Sequence, residues 1–199
     1  IRLSLVGSEM CIRDRALSKL NIIVTEVSRL ENLLNEFRDL YSPKRLDMED
    51  IDVNALVKEV YDFVRDDCGM KHIQAEFTPA PGNLTVTGDR AKLKQVLLNL
   101  TKNAMEAMET GGHLWLETRR REERVEIIVA DDGCGISEAQ QAKVFSPFFT
   151  GKKKGSGLGL SVSKNIVAQH PHSTLTFQSR KGKGTVFTLS MPLNLPGKK

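Results

Sequence analysis

The run Gly155-Ser156-Gly157-Leu158-Gly159-Leu160 opens an apolar helical pattern, and that junction constrains the chain more than any other feature. The first amides of a helix have no intrahelical acceptors, and the helix dipole adds partial positive charge at the same end. A phosphate is a natural occupant. Glycine permits positive φ and removes the Cβ that would hold a polyphosphate at a distance. Alone, such a run is equally a mobile loop. It is not a P-loop, because no Gly-Lys-Ser/Thr closes it, and Gly151 to Lys154 before it form a basic loop rather than the strand of a dinucleotide fingerprint.

Upstream, residues 89 to 109 carry a helical period: Leu93, Val96, Leu97, Leu100, Ala104 and Ala107 recur at three- and four-residue steps and make a buried stripe, with Asp89 as N-cap. Asn99 and Asn103 lie four apart, so both amides leave one face beside that stripe. Asparagine is a poor helix former, since its side chain competes for backbone hydrogen bonds. Either both face solvent, or they bind something. A carboxamide oxygen is a hard neutral ligand suited to Mg²⁺, which holds ATP phosphates while keeping several waters.

A third motif, Asp131-Asp132-Gly133-Cys134-Gly135-Ile136, follows the strand-like run 125 to 130. An ionised carboxylate only accepts hydrogen bonds, so Asp131 at a strand end suits the exocyclic amine of adenine. Asp-Gly is also a hairpin signal. Against a hairpin, Ser137 to Gln140 has the form of a capping box, so a short helix is expected where the second strand would begin.

Three motifs in this order resemble the ATP-binding domain shared by sensor histidine kinases, gyrase-type topoisomerases, Hsp90-type chaperones and mismatch-repair ATPases. The resemblance to histidine kinases is the close one. QVLLNLTKNAMEAM is similar to their asparagine motif, ADDGCGI to their adenine motif, FSPFFTGKKKGSGLGLSVSKNIV to their phenylalanine motif, glycine-rich lid and helix, and GKGTVFTLSMP to their terminal strand. It covers residues 50 to 192 or so. The resemblance implies ATP and Mg²⁺ as cofactors, with Asn103 on the metal and Asn99 supporting the phosphate and metal region. It implies that Asp131 reads adenine, that Gly133 and Gly135 shape the base pocket, and that Thr185 lies near the base. Lys152 would approach the phosphates, Gly155, Ser156, Gly157, Leu158 and Gly159 would close over them, and Phe145 and Phe148 would anchor the lid. The ATP-hydrolysing relatives place a glutamate where this chain has Asn99, and an amide cannot take a proton from water. Phosphoryl transfer to a protein, with little hydrolysis, is therefore expected.

Histidine kinases carry their phosphoacceptor on the first helix of a dimerising hairpin. Residues 16 to 41 resemble the second helix: Leu20, Ile23, Val27, Leu30, Leu34, Phe37 and Tyr41 alternate steps of three and four in a heptad seam that ends before Pro43. A lone amphipathic helix is the competing description. No histidine precedes His72, so the phosphoacceptor helix is expected to be missing and no catalytic residue is assigned. His72, His113, His170 and His172 are expected at the surface or in packing. Pro171 and His172 stand where the family commonly has two glycines, which puts the turn geometry there in doubt. The chain begins at Ile1, and SLVGSEMCIRDR resembles the conceptual translation of a sequencing adapter, so residues 1 to 15 are expected to be non-native or disordered.

A chain of 199 residues with 40% hydrophobic content can bury one sizeable core, and it has no apolar run of eighteen residues. Three cysteines without metal-ligand spacing suit a reducing cytoplasm, although the intact protein could be membrane-anchored through a lost N-terminal part. The net charge of +4 lies in scattered loop lysines and the basic tail 194 to 199, without interleaved aromatics, so no nucleic-acid partner is expected. The expected architecture is an α/β two-layer sandwich, a mixed sheet covered on one face by about three helices over residues 50 to 193, preceded by one long dimerisation-type helix within 16 to 46. The partners implied are a second copy in the intact protein and a response-regulator receiver domain. Two other functions share the ATP fold: a serine kinase of the anti-sigma-factor type, and a non-enzymatic nucleotide-dependent dimerisation module.

Overall fold

Every second residue of Leu114–Thr118 and of Val125–Val129 is buried, so one face of each strand turns inward and builds the central sheet. The computed structural model describes residues 19, 20, 23, 24, 27, 30, 31, 34, 45–109, 111–151 and 155–194. The chain divides into two compact units, Ile1–Ser42 and Pro43–Lys199.

In the larger unit the order is β1 (Glu49–Asp52), α1 (Val53–Met70), β2 (Ile73–Thr78), β3 (Thr85–Gly88), α2 (Arg90–Ala107), β4 (Gly112–Arg121), β5 (Arg124–Asp131), α3 (Glu138–Gln141), α4 (Gly159–Gln169), β6 (Thr174–Ser179) and β7 (Thr185–Pro192). Five strands form a sheet in the order β2-β4-β5-β7-β6, with β2 parallel to β4 and every other pair antiparallel. The sheet is therefore mixed, as expected. One face is covered by α1, α2 and α4, and Leu114, Leu116, Val125, Ile127, Val129, Leu189 and Met191 are all buried. Each such side chain contributes about 1.5–3 kcal/mol by leaving water.

The α2 stripe is buried at Leu93, Val96, Leu97, Leu100 and Ala104, whereas Ala107 is only half-buried. Thr101 and Met105 complete it; Thr101 is tolerated because its hydroxyl donates to Leu97 O at 2.7 Å. Asp89 caps α2 as expected, accepting from the Lys92 amide at 3.0 Å. The capping box expected at Ser137 does not form. Its hydroxyl bonds the Gln140 side chain at 2.8 Å and makes no bond to the helix backbone. In so short a helix the glutamine amide reaches the serine more readily than the serine reaches the third amide.

One pair of strands was not expected. β1 pairs antiparallel with β3 in a separate two-stranded sheet, sealed by Ile51 and Val86. Asn194 closes it, its amide nitrogen donating to Asp50 at 2.7 Å and to Thr87 at 2.8 Å. In the smaller unit, the eight described positions between 19 and 34 are helical. Leu20, Ile23, Val27, Leu30 and Leu34 of the expected seam are 49–69% exposed. Phe37 and Tyr41 lie outside the described residues.

Candidate functional site

The adenine-type motif leaves the sheet at the end of β5 and is pinned on two sides. Asp131 is buried, and its Oδ1 accepts from the Gly133 amide at 2.9 Å, closing a tight turn. The Cys134 amide then donates to Ala107 O at the end of α2 (3.1 Å), while Cys134 O accepts from Gly182 in the β6–β7 turn (2.8 Å). The glycines are required by these approaches. A Cβ on Gly133 would lie 2.7 Å from Ala107 O, and one on Gly135, at φ +60°, would overlap Arg180 O.

β7 supplies the other wall. Thr185 is directly opposite Asp131 in the antiparallel pair, so both side chains emerge on one face, and both are buried. The Ser179 hydroxyl meets Thr185 Oγ1 at 2.9 Å, Gly184 O at 3.0 Å and the Ile136 amide at 2.8 Å. Gln141 adds two bonds from its side-chain nitrogen, to Ile136 O at 3.0 Å and Ser179 O at 2.9 Å. Sequence reasoning missed both residues; Ser179 ends a strand in a run of ordinary polar residues, and only the fold places it behind Thr185.

Next to Asp131, Asp132 takes a different role. Its carboxylate accepts from the His113 amide at 2.8 Å and meets His113 Nδ1 at 3.0 Å. The amide bond chiefly, with the ring bond adding to it, holds the carboxyl below its usual range.

A second group of the expected site residues joins α2 to α4. Asn99 and Asn103 are half-buried on one face of α2. Asn99 donates to Ser163 Oγ at 2.8 Å, and its carboxamide sits so close over Gly159 that any Cβ there would collide with it. Leu158, the N-cap of α4, is buried, and its side chain makes no capping bond. Ser156 Oγ instead accepts from the Leu158 amide at 3.2 Å, one residue before α4 begins. Gly157 takes φ +68° with its Cα against the Phe148 backbone, where a Cβ would be 2.5 Å from the carbonyl carbon. Gly155 is exposed at the loop edge, and Lys152 lies outside the described residues.

The two phenylalanines expected to anchor the loop behave differently. Phe145 does, edge-on to Phe177 with ring centres 5.6 Å apart and with Lys164 Nζ 4.7 Å from its own centre. Phe148 does not. Its ring is 59% exposed and its φ is +63°, so its backbone rather than its ring meets Gly157.

None of the histidines joins this cleft as a reactive group. His170 is buried; Nδ1 donates to Ile166 O at 2.8 Å and Nε2 accepts from the Asp89 amide at 3.0 Å, tying the end of α4 to the start of α2. Asp89 Oδ2 in turn accepts from the Asp47 amide at 3.2 Å. His72 and His172 are exposed turn residues at φ 56°. The turn expected to want glycines thus forms with His172 in the left-handed region, held by Arg124 donating to His172 O at 2.8 Å.

A family described as "Histidine kinase-, DNA gyrase B-, and HSP90-like ATPase" matches residues 88–195. The sensor histidine kinase ZraS of Escherichia coli (strain K12) is 36% identical over 177 residues, 89% of this chain and 38% of ZraS. Sporulation kinase B of Bacillus subtilis (strain 168) is 31% identical over 176 residues, 88% of this chain and 41% of that kinase. The chain thus spans well under half the length of these relatives. Among solved structures, the catalytic domain of histidine kinase ThkA superposes with a TM-score of 0.68 at 32% identity, covering 74% of this chain and 96% of that one. ThkA in complex with the response regulator TrrA gives 0.74 at 30% identity, covering 89% of this chain and 51% of that one. With its mixed sheet and three covering helices, the chain belongs to the histidine kinase-, gyrase B- and HSP90-like ATPase family.

Proposed function

We propose that the cleft binds Mg-ATP and serves as the catalytic part of a two-component sensor histidine kinase, delivering the γ-phosphoryl group to a histidine for relay to a response regulator. The observation that carries this reading is the convergence of the α2 asparagine face on the first turn of α4, joined by the Asn99–Ser163 bond. A helix start whose N-cap is a leucine offers amides to phosphate, and the neighbouring asparagine offers an amide oxygen to its cation. The base end fits as well: a buried carboxylate and a buried hydroxyl lie side by side where glycines let backbone approach.

In this reading Asp131 and Thr185 hold the adenine, with Gly133 and Gly135 keeping the pocket open for it. The glycine-rich run from Gly155 through Ser156, Gly157 and Leu158 to Gly159 faces the phosphates, and Lys152 supplies charge to them. Asn103 is the protein ligand of Mg²⁺. Among the described residues no three His, Cys, Asp or Glu side chains cluster to hold a metal, so the cation would rest on the amide, the phosphates and water. Bound Mg²⁺ supplies charge neutralisation. Asn99 positions α4 and cannot act as a base toward water, which favours transfer over hydrolysis.

The remaining elements of the reading concern the longer protein. The heptad-spaced apolar residues of the smaller unit favour a homodimer. The receiver-domain partner is supported by ThkA, solved with its response regulator. No helix among the described residues is long and apolar enough to cross a membrane. ATP as substrate and, among the described residues, the free thiols of Cys68 and Cys134 fit a cytoplasmic catalytic part.

The test mixes the chain with Mg²⁺, γ-labelled ATP and the phosphoacceptor hairpin of a closely matched kinase. Acid-labile, base-stable label on the hairpin that disappears with Asn103→Ala is the expected result. Acid-stable label on a serine-bearing partner would replace it with a serine kinase, and nucleotide binding without any transfer would leave a binding module.

A further inference from the structure

Resting on the nucleotide reading above, the geometry points to Ser179 as a specificity-determining residue that never touches the base: it fixes the Thr185 hydroxyl as an acceptor and so selects a 6-amino over a 6-oxo purine.

The inference follows from counting protons. A serine hydroxyl has one proton and accepts with its lone pairs. The Ile136 amide can only donate, so Ser179 Oγ accepts there, at 2.8 Å. The Gly184 carbonyl can only accept, so Ser179 gives its proton there, at 3.0 Å. The 2.9 Å contact with Thr185 Oγ1 must then take its proton from Thr185. With that proton committed backwards, Thr185 turns lone pairs, and no donor, toward the pocket.

Asp131 stands directly opposite on the same face of the sheet, and a carboxylate is also an acceptor only. Two buried acceptors side by side suit a donor, which an exocyclic amine supplies and a carbonyl oxygen does not. A base that brings a carbonyl to the same place leaves acceptors facing an acceptor, the unpaired arrangement that makes polar sites discriminate strongly. Ser179 itself is held by the two strands it joins. Its backbone pairs with Thr185, and its carbonyl accepts from Gln141 at 2.9 Å. A hydroxyl elsewhere could not make the same three bonds.

The test compares ATP with inosine triphosphate, whose base carries a carbonyl at position 6 and a proton on N1. Affinities of the full chain for both would be measured by calorimetry, for the wild type, Ser179→Ala, Ser179→Thr, Thr185→Val and the double variant Ser179→Ala/Thr185→Val. In Ser179→Ala the Thr185 hydroxyl is released and can donate to a carbonyl. The ATP preference is expected to shrink by about tenfold, roughly what one buried hydrogen bond decides. Ser179→Thr keeps the hydroxyl and should restore it. In a Thr185→Val background, loss of Ser179 should change the preference no further.

A merely structural serine would lower the affinity for both nucleotides equally, so an unchanged ratio in Ser179→Ala overturns the inference. Should Ser179→Ala fail to fold, a wild-type ratio in Thr185→Val does the same. A wild type that binds ATP with no shift in ratio defeats only this inference. A wild type that binds neither nucleotide defeats the nucleotide reading as well.

Discussion

At the base end of the cleft, Gly133, Gly135 and Gly184 each press against a backbone carbonyl of another part of the fold, those of Ala107, Arg180 and Asp131. At the phosphate end, Gly157 presses against Phe148 of its own loop, and Ser146, Pro147, Phe148 and Thr150 around it are exposed. The base end is thus part of the fold itself, while the phosphate loop rests on Phe145, on the buried Val144 and Leu158 that flank it, and on its own turns. In the proposed reading the pocket for the base is built in advance, and the phosphate loop contributes little to stability. Substitutions should separate accordingly, costing folding at one end and binding at the other.

The largest expected effect lies at the base end. Gly184 takes φ +84°, and a Cβ on it would overlap Asp131 O, so Gly184→Ala should destabilise the chain by about 3 kcal/mol or more, read as a fall in urea midpoint. An unchanged midpoint would break the contrast, because it would mean that the hairpin can move away from β5. Next is Asn103→Ala, expected to weaken ATP binding in Mg²⁺ by about 10- to 100-fold while leaving adenosine binding alone. Chelating Mg²⁺ from the wild type should reproduce the loss, and adding a chelator to Asn103→Ala should change little.

Gly157→Ala sharpens the comparison from the other side. Its φ of +68° and the nearness of the Phe148 backbone force a local shift, which falls on the exposed Phe148 and not on the core. The expected cost is about 1 kcal/mol in ATP affinity, with the urea midpoint close to that of the wild type. The smallest effect is at Asp132. Its folded pKa is depressed, so its contribution to stability is present above the unfolded value, near pH 4, and is lost as pH falls through the lower folded value. Because this carboxylate is 41% exposed, Asp132→Asn should cost only about 0.5 kcal/mol at pH 7, and less at pH 3. A larger loss would show that this carboxylate, and not backbone packing, holds the base end together.

The parts legible in the sequence were those where a residue type has few other uses. Leu93 to Ala104 at helical spacing could only be a buried stripe, and glycines at 133, 135, 157 and 159 do meet backbone or side chain where a Cβ would not fit. β1 was illegible because Glu49, Asp50 and Asp52 are exposed and Ile51 alone points inward, leaving no alternation to read. Phe148 misled because an aromatic residue is normally buried, whereas here the left-handed backbone turns its ring outward. Ser179 and His170 were hidden for a third reason. Their partners, Thr185 and Ile136 in one case and Asp89 in the other, come together only through the sheet order and the packing of α2 on α4. Hydrogen bonds between residues 81 apart in the chain leave no periodic trace.

The most direct measurement is a calorimetric titration of the chain with Mg-ATP beside Asp131→Asn, with urea midpoints recorded for both. Asparagine keeps the oxygen that accepts from Gly133 but loses the charge, so binding should weaken by about 30-fold or more with the fold intact. Equal affinity in the two proteins would contradict the account, because the base would then be read somewhere other than beside Asp131.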